Sequence, residues 1–380
     1  MKFSMIPNYG DAGTDFTLVL TASDGQGSAT MNVTIHVLPV NQNHKNLVKG
    51  KLDRYEDWVA QDKLDTDDGD LVTLKIKKKG TIEHWDGSVL EISGTSSLNI
   101  KASRSKKLSG EGYNGKMYGE FYATNEYTIS SVAQLDEIKS DEELKKVSVA
   151  GTVGRILLNK DFAPLGTVKI KGGNLGGVEA QYIKNINVMG TKYKDVATKE
   201  KLYYGGNITH ECYPGGYGRI KAYDVAKKDV SINGISAKGG DISNVWIHAK
   251  GHIKKVSTKS GKDELKMPVG GSINGSIIRA GVNPDNFSEI NSLGDVVKVQ
   301  VSESINGSAI IPAADPGDGN FEGTAIDPTE IYIGNLINLK HGKKTGDIYD
   351  SLLISAEPIK KIDKLTIDPT TEVIIDGVVQ

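Results

Sequence analysis

Leu144-Lys-Lys-Val147-Ser-Val149, Val153-Gly-Arg-Ile156-Leu-Leu158, Leu165-Gly-Thr-Val168-Lys-Ile170, Leu175-Gly-Gly-Val178-Glu-Ala180 and Ile183-Lys-Asn-Ile186-Asn-Val188 follow one another along the chain. The same motif returns at Ile242-Ser-Asn-Val245-Trp-Ile247 and Val296-Val-Lys-Val299-Gln-Val301. Each copy sets one aliphatic residue and then two more, at offsets three and five. Side chains alternate along an extended strand, so the last two share one side. The first lies at or before a corner and also turns inward, while Lys, Asn and Ser between them face water. Glycine precedes several copies, as in Gly239-Gly-Asp-Ile242 and Gly251-His-Ile253, where it can take positive φ at a corner without steric cost. Short-period repetition of this kind is the mark of a solenoid. Each unit is a strand plus a corner, and two or three units would close one coil. A single coil is marginal; stacking coils buries a continuous core.

Composition agrees with many short strands joined by tight turns. The chain has 380 residues, 44 of them glycine, and only 6% aromatics. Its formal net charge is -2, so no basic balance recruits nucleic acid or anionic lipid. Basic residues are nearly all lysine; the arginines are Arg54, Arg104, Arg155, Arg219 and Arg279. Arginine is the better fork for phosphate and carboxylate groups, and its scarcity weakens readings built on acidic polymers. The single cysteine, Cys212, allows neither an intrachain disulfide nor a cysteine-based zinc site. No stretch has the length of a membrane span, and Met1-Lys-Phe-Ser-Met-Ile-Pro lacks the apolar core of a signal peptide.

Residues 1–41 read as strands. Phe16-Thr-Leu-Val-Leu-Thr-Ala-Ser, the turn Asp24-Gly-Gln-Gly and Ser28-Ala-Thr-Met-Asn-Val-Thr-Ile-His-Val form a hairpin by period-two alternation. With Phe3-Ser-Met-Ile-Pro-Asn-Tyr, Asp11-Ala-Gly-Thr and the exit Val37-Leu-Pro-Val-Asn, this segment resembles the last strands of bacterial immunoglobulin-like or cadherin-like modules. A whole sandwich of that type needs about seven strands over roughly 100 residues, and only the last three are present. Either the chain is part of a longer protein, or the half-sandwich is completed by strands from a neighbour. Residues 42–130 read as a small β module or solenoid cap, with a Gly/Tyr-rich insertion around Ser109-Gly-Glu-Gly-Tyr. Residues 131–326 carry the solenoid, including the near-duplicates Ser272-Ile-Asn-Gly-Ser-Ile-Ile-Arg-Ala-Gly-Val-Asn-Pro-Asp and Ser304-Ile-Asn-Gly-Ser-Ala-Ile-Ile-Pro-Ala-Ala-Asp-Pro-Gly. Residues 327–380 read as a C-terminal cap or bridging β segment. The expected fold class is all-β: incomplete Ig-like sandwich strands, a small β-rich module, then a parallel β-helix.

Candidate chemistry is sparse. The run Asp65-Thr-Asp67-Asp68-Gly-Asp70 clusters carboxylates in a turn, as calcium requires, but lacks the closing glutamate of an EF-hand. It also reads as an acidic, solvated turn before the strand at Leu71. Asp11, Asp24 and Asn41 stand where cadherin-like modules place calcium ligands, an assignment implied by the resemblance alone. No cofactor is required by any motif. His210-Glu-Cys212 reads as loop, since neighbours on an extended segment point apart. His248 and His252 read as surface histidines. Asp229, Asp241 and Arg219 are the nearest approach to the converging acid and arginine set of a polysaccharide-cleaving β-helix, but they sit at corners, and catalysis is not expected. Tyrosines gather in the insertions; Tyr203, Tyr204, Tyr213 and Tyr217 are the candidates for stacking on sugars, although the same rings could pack the insertions onto the wall.

Taken together, the chain resembles modules of large bacterial surface-layer and cell-surface adhesin-type repeat proteins. That resemblance implies a non-enzymatic structural role at the extracellular surface. The partners would be copies of itself or other surface-layer subunits, with cell-wall or extracellular polysaccharide as a further partner, and neither nucleic acid nor a membrane span. A carbohydrate-binding or, less readily, carbohydrate-cleaving β-helix is the alternative.

Overall fold

The computed structural model describes residues 133–380 apart from 196–200, 213–217, 263–265, 287–289, 291–293, 316–330, 333, 343–344 and 377. Before residue 133 it describes 15–23, 28–36, 49–53, 71–76, 81–85, 89–94, 97–103, 117–118, 121–122 and 127–128. The fold is all-β, and its largest hydrogen-bonded system joins 29 strands, mostly parallel. Asp15–Ser23 and Ser28–His36 form the expected antiparallel hairpin, with Asp15 opposite His36 and Ser23 opposite Ser28.

The chain coils by alternating between two faces. On face I, residue 144 of the long strand Leu144–Leu158 pairs with Leu165, Leu165 with Ile183, and Ile183 with Ile232. On face II, Val153 of that same strand pairs with Leu175, Leu175 with Ile208, and Ile208 with Ile242. Two motif units therefore close one coil, and each strand bonds to the strand two units away. Parallel pairing of this kind runs to Lys361–Asp363 on face I and Glu372–Ile375 on face II. The tail beyond residue 327 thus continues the stack before the hairpin of Glu372–Ile375 with Val378–Val379. At the other end, Leu71–Ile76 lies antiparallel on Ser97–Ser103, and Thr81–Trp85 antiparallel on Val89–Ser93.

The inward residues of the motif form columns. One column on face II passes from Ile138 through Ile156, Val178, Ile220, Ile247, Ile278 and Ile310 to Leu353, all at 0% exposure. Burying such a side chain contributes about 1.5–3 kcal/mol, and the columns have no gap in which a coil could slip sideways. β-Branched residues dominate because their stiff side chains pack well on a pleated surface.

Polar ladders hold the corners. Where face I passes to face II, the residue before each inward aliphatic is Thr152, Asn174, Asn207, Asp241, Ser272 or Ser304. Thr152 Oγ1 accepts the Asn174 N–H at 3.1 Å, Asn174 Oδ1 that of Asn207 at 3.1 Å, Asn207 Oδ1 that of Asp241 at 2.8 Å, and Asp241 Oδ1 that of Ser272 at 2.7 Å. The return corner has its own ladder: His252 Nδ1 accepts the Asp295 N–H at 2.8 Å, and Asp295 Oδ1 that of Asn335 at 2.8 Å. A third ladder runs inside face II, where Ser276, Ser308 and Ser351 are buried. Ser308 Oγ accepts the Ser276 N–H and Ser351 Oγ the Ser308 N–H, both at 3.2 Å. These bonds satisfy corner amides that leave the strand ladder, which would otherwise be costly where they are buried.

Paired glycines form four of the six face I to face II corners. Gly172-Gly173, Gly205-Gly206, Gly239-Gly240 and Gly270-Gly271 precede Asn174, Asn207, Asp241 and Ser272, and the first glycine of each pair has φ between 64° and 75°. A Cβ on Gly240 would collide with the backbone of Gly206, one coil away.

Ile247→Ala is expected to cost about 2–5 kcal/mol, because the packed column cannot collapse around the void. Ile362→Ala, at a position already 41% exposed in the last coil, is expected to cost well under that. Denaturant titration followed by circular dichroism compares the two; equal losses would mean that the columns are not the core.

Candidate functional site

Charged side chains converge on the outer side of face II. Glu179, Lys221, His248 and Arg279 occupy one outward column on successive coils. The segment 281–286, which leaves the strand Ile277–Ala280, lays Asp285 against it. Asp285 Oδ1 accepts from Lys221 Nζ at 2.7 Å and from the Tyr223 hydroxyl at 2.9 Å, and Oδ2 accepts from Lys160 Nζ at 3.0 Å. The Tyr223 hydroxyl also lies 3.2 Å from Glu179 Oε2, so one proton serves two carboxylates. Lys160 Nζ stands 5.1 Å from the Tyr223 ring centre. Lys250 pairs with Asp224 at 3.4 Å beside them. Together Lys160, Asp161, Tyr223, Asp224, Lys250 and Asp285 border a cleft of about 340 Å³.

The electrostatics freeze this cluster. Burial raises the Tyr223 hydroxyl far above its ordinary range, reinforced by Glu179 and Asp285. Burial would also raise Asp285, but the hydrogen bonds from Lys221, Lys160 and Tyr223 outweigh it and hold the carboxyl well below the usual range. Asp285 in turn raises Lys160. Tyr223 therefore stays a donor, Asp285 an anion and Lys160 a cation at neutral pH. A general acid or base works best with a pKa near the operating pH, and these three groups are driven away from it. Their arrangement is that of a latch pinning 281–286 to the coils.

His248 was expected at the surface and is instead 2% exposed. Its outward position is roofed by the same insertion, and its ring lies 5.9 Å from that of Trp246, stacked at 28°. Burial, then the charges of Arg279, Lys221 and Arg219, hold the imidazole down to about 4, against a weaker opposing hydrogen bond at Pro284. The sequence reading missed this because alternation places His248 outward and says nothing of an insertion that covers it.

Beside the cleft, Trp246, Ile277, Ala309 and Leu352 share another outward column on consecutive coils. They floor an open groove of about 480 Å³, edged by Gly275, Gly307 and Asp350. The Arg219 guanidinium sits 5.9 Å from the Trp246 ring centre. Asn244, Gly275, Gly307 and Asp350 all take left-handed φ, between 49° and 54°, at the equivalent bend of four coils.

Of the residues named from the sequence, many lie outside the described part of the chain. Asp65, Asp67, Asp68 and Asp70 lie outside the described residues, as do Asp11, Asp24, Asn41, Tyr213 and Tyr217. Tyr203 and Tyr204 lie on Lys201–Tyr204, opposite Lys192 and Thr191 in an antiparallel hairpin. His210–Cys212 is a single 3-10 turn. Asp241 is a rung of the corner ladder, Asp229 is exposed, and Arg219 lies by Trp246, so these three do not form one site. Among the described residues, no group of three His, Cys, Asp or Glu side chains could hold a metal ion. No described helix is long and apolar enough to cross a membrane. No protein-family model matches the chain, and neither a curated protein nor a solved structure matches it.

Two pH effects follow. His248 keeps its folded pKa below the unfolded value, so the unfolded chain takes up the proton first. The contribution of His248 to stability is therefore constant above about pH 6.5 and falls as pH drops towards 4, by about 3 kcal/mol over the whole window. His248→Gln should flatten the pH–stability curve in that window; an unchanged slope refutes the burial argument. Asp285 has a depressed folded pKa, so its contribution is present above about pH 4 and is lost as pH falls below. Because the carboxylate is partly exposed, Asp285→Asn should cost only about 1 kcal/mol at pH 7, with the difference from wild type shrinking in acid.

Proposed function

We propose that this protein is a non-enzymatic structural component of an extracellular surface layer, stalk or fibre, associating with copies of itself through strand edges and loops. The observation that carries the reading is the continuous parallel ladder from Ser97–Ser103 to Lys361–Asp363, reinforced at its corners by registered side-chain ladders. A stack joined in this way resists bending and shear because every coil is bonded to the next along both faces and at the corners. The resemblance of the N-terminal segment to immunoglobulin-like modules of bacterial surface proteins supports the setting. Edges support association: Lys361–Asp363 pairs with Leu336–His341 on one side and with no described strand on the other.

Carbohydrate recognition is the second reading. It is favoured by the groove floored by Trp246, since an aromatic ring beside an open channel suits stacking on a sugar. The tyrosines Tyr203, Tyr204, Tyr213 and Tyr217 belong to the same reading, and calcium at Asp65, Asp67, Asp68 and Asp70 remains a proposal.

Sedimentation velocity with negative-stain microscopy over a concentration series separates the two. The structural reading expects filaments or sheets to grow with concentration in the absence of glycan. A chain that stays monomeric throughout, yet binds a neutral glycan in a manner lost on Trp246→Ala, would replace it with the second.

A further inference from the structure

The net charge of -2 conceals a field of one sign on face I. The eight strand segments of that face, from 144–150 to Lys361–Asp363, contain 12 lysines, no arginine and one carboxylate, Asp363. Face II mixes both signs, with Arg155, Glu179, Arg219, Arg279 and Glu372 among its outward residues.

Every one of these coils carries at least one lysine. Lys146, Lys169, Lys184, Lys238 and Lys255 are exposed, one on each of five successive coils, and Lys298 follows on the sixth, half-buried. Lys146, Lys255, Lys298 and Lys361 share one outward column, and Lys169 and Lys340 the next. Neighbouring coils are ~4.8 Å apart. Within the first column the lysines are separated by four, one and two coils and within the second by five, so the one-per-coil recurrence is shared among neighbouring columns. Few are neutralised. Among the described residues, Lys145 meets Glu143 at 3.7 Å, and Asp363 meets Lys340 at 3.4 Å and Lys361 at 3.9 Å. Burial, then the charges of Lys255, Lys340 and Lys361, hold Lys298 below the ordinary lysine value.

What is missing between the lysines narrows the partner. The eight segments contain no Phe, Tyr or Trp, so the face offers no platform on which bases could stack. It has no guanidinium fork, so neither phosphate nor carboxylate would be gripped bidentately and attraction there rests on many lysine point charges acting together. Among the described residues the large exposed apolar side chains are Phe162, Met267, Ile362, Val378 and Val379, none of them among the lysines of the central coils, so the described part of that face offers no apolar group to a bilayer. An array of point charges with at least one lysine on every ~4.8 Å coil, spread over neighbouring columns and with no aromatic between them, fits a linear polymer that bears carboxylates at frequent intervals.

We propose that face I binds a linear acidic polysaccharide laid along the coil axis, with its carboxylates meeting the lysines of successive coils. This surface is on the opposite side from the Trp246 groove, and the proposal does not depend on self-association.

The test is calorimetric titration of the whole chain with polygalacturonate, at low salt and at about half-molar salt, where exposed charges are screened. Binding should be present at low salt and weakened at least about tenfold at high salt. Combined Lys169→Glu, Lys255→Glu and Lys298→Glu should weaken it about tenfold or more, while Lys227→Glu on the 3-10 turn off this face should not. The same three positions changed to Gln serve if the charge-reversed protein does not fold. The proposal is overturned if the folded triple variant binds like wild type or if neutral dextran binds as well. It is equally overturned if a single-stranded oligonucleotide or phosphatidylglycerol vesicles bind more tightly than polygalacturonate, or if nothing binds at low salt.

Discussion

The structure depends on one constraint: each coil must sit on the last in strict register. A one-residue slip would turn every inward aliphatic outward, since side chains alternate along a strand. Backbone ladders alone permit such slips. The corner side chains do not, because Asn174, Asn207 and Asp241 each accept the N–H of the equivalent residue in the next coil, and a slip would leave a donor and an acceptor unpaired at every corner. The paired glycines before them tighten the constraint, because a Cβ on Gly173, Gly206 or Gly240 would strike the backbone of a neighbouring coil. The aliphatic columns supply most of the stabilisation, and the corners choose which stack is stabilised.

Much of the coil was legible in the sequence. In the strand Leu165–Lys171 the three buried positions are the first aliphatic, Leu165, and those at offsets three and five, Val168 and Ile170. The hairpin of Asp15–Ser23 with Ser28–His36 follows from alternation around Asp24-Gly-Gln-Gly. The number of units per coil was not legible, because a corner and a bend both present as glycine or asparagine between aliphatics: Gly239-Gly240 turns the chain to the other face, whereas Asn244 bends it within one. The Gly-Gly-polar triplet recurring at Asn174, Asn207, Asp241 and Ser272 was the available signal for the true corner.

The face II cluster was hidden for a different reason. Lys160 and Asp285 are 125 residues apart, and only the return of the chain across several coils joins them. A hint lay in the near-duplicates, which diverge where Asn283-Pro284-Asp285 replaces the corresponding Asp315-Pro316-Gly317. Charge segregation was hidden by the habit of summing over the chain. Twelve lysines on one face are invisible in a net charge of -2, and they emerge only when the register assigns each strand to its side. The described coils thus present two unlike sides: one crossed by the segment 281–286, which ion pairs latch down, the other studded with lysines.

The central claim is the single in-register stack, and a distance along one column tests it most directly. Lys146 and Lys361 occupy the same outward column, separated by 7 ladder steps. At ~4.8 Å per step, that places them roughly 34 Å apart along the axis. With Cys212 replaced by serine and spin labels on Lys146→Cys and Lys361→Cys, pulsed electron paramagnetic resonance should give one narrow distribution centred near that separation. A broad distribution, or a centre displaced by several coil spacings, would contradict the stack.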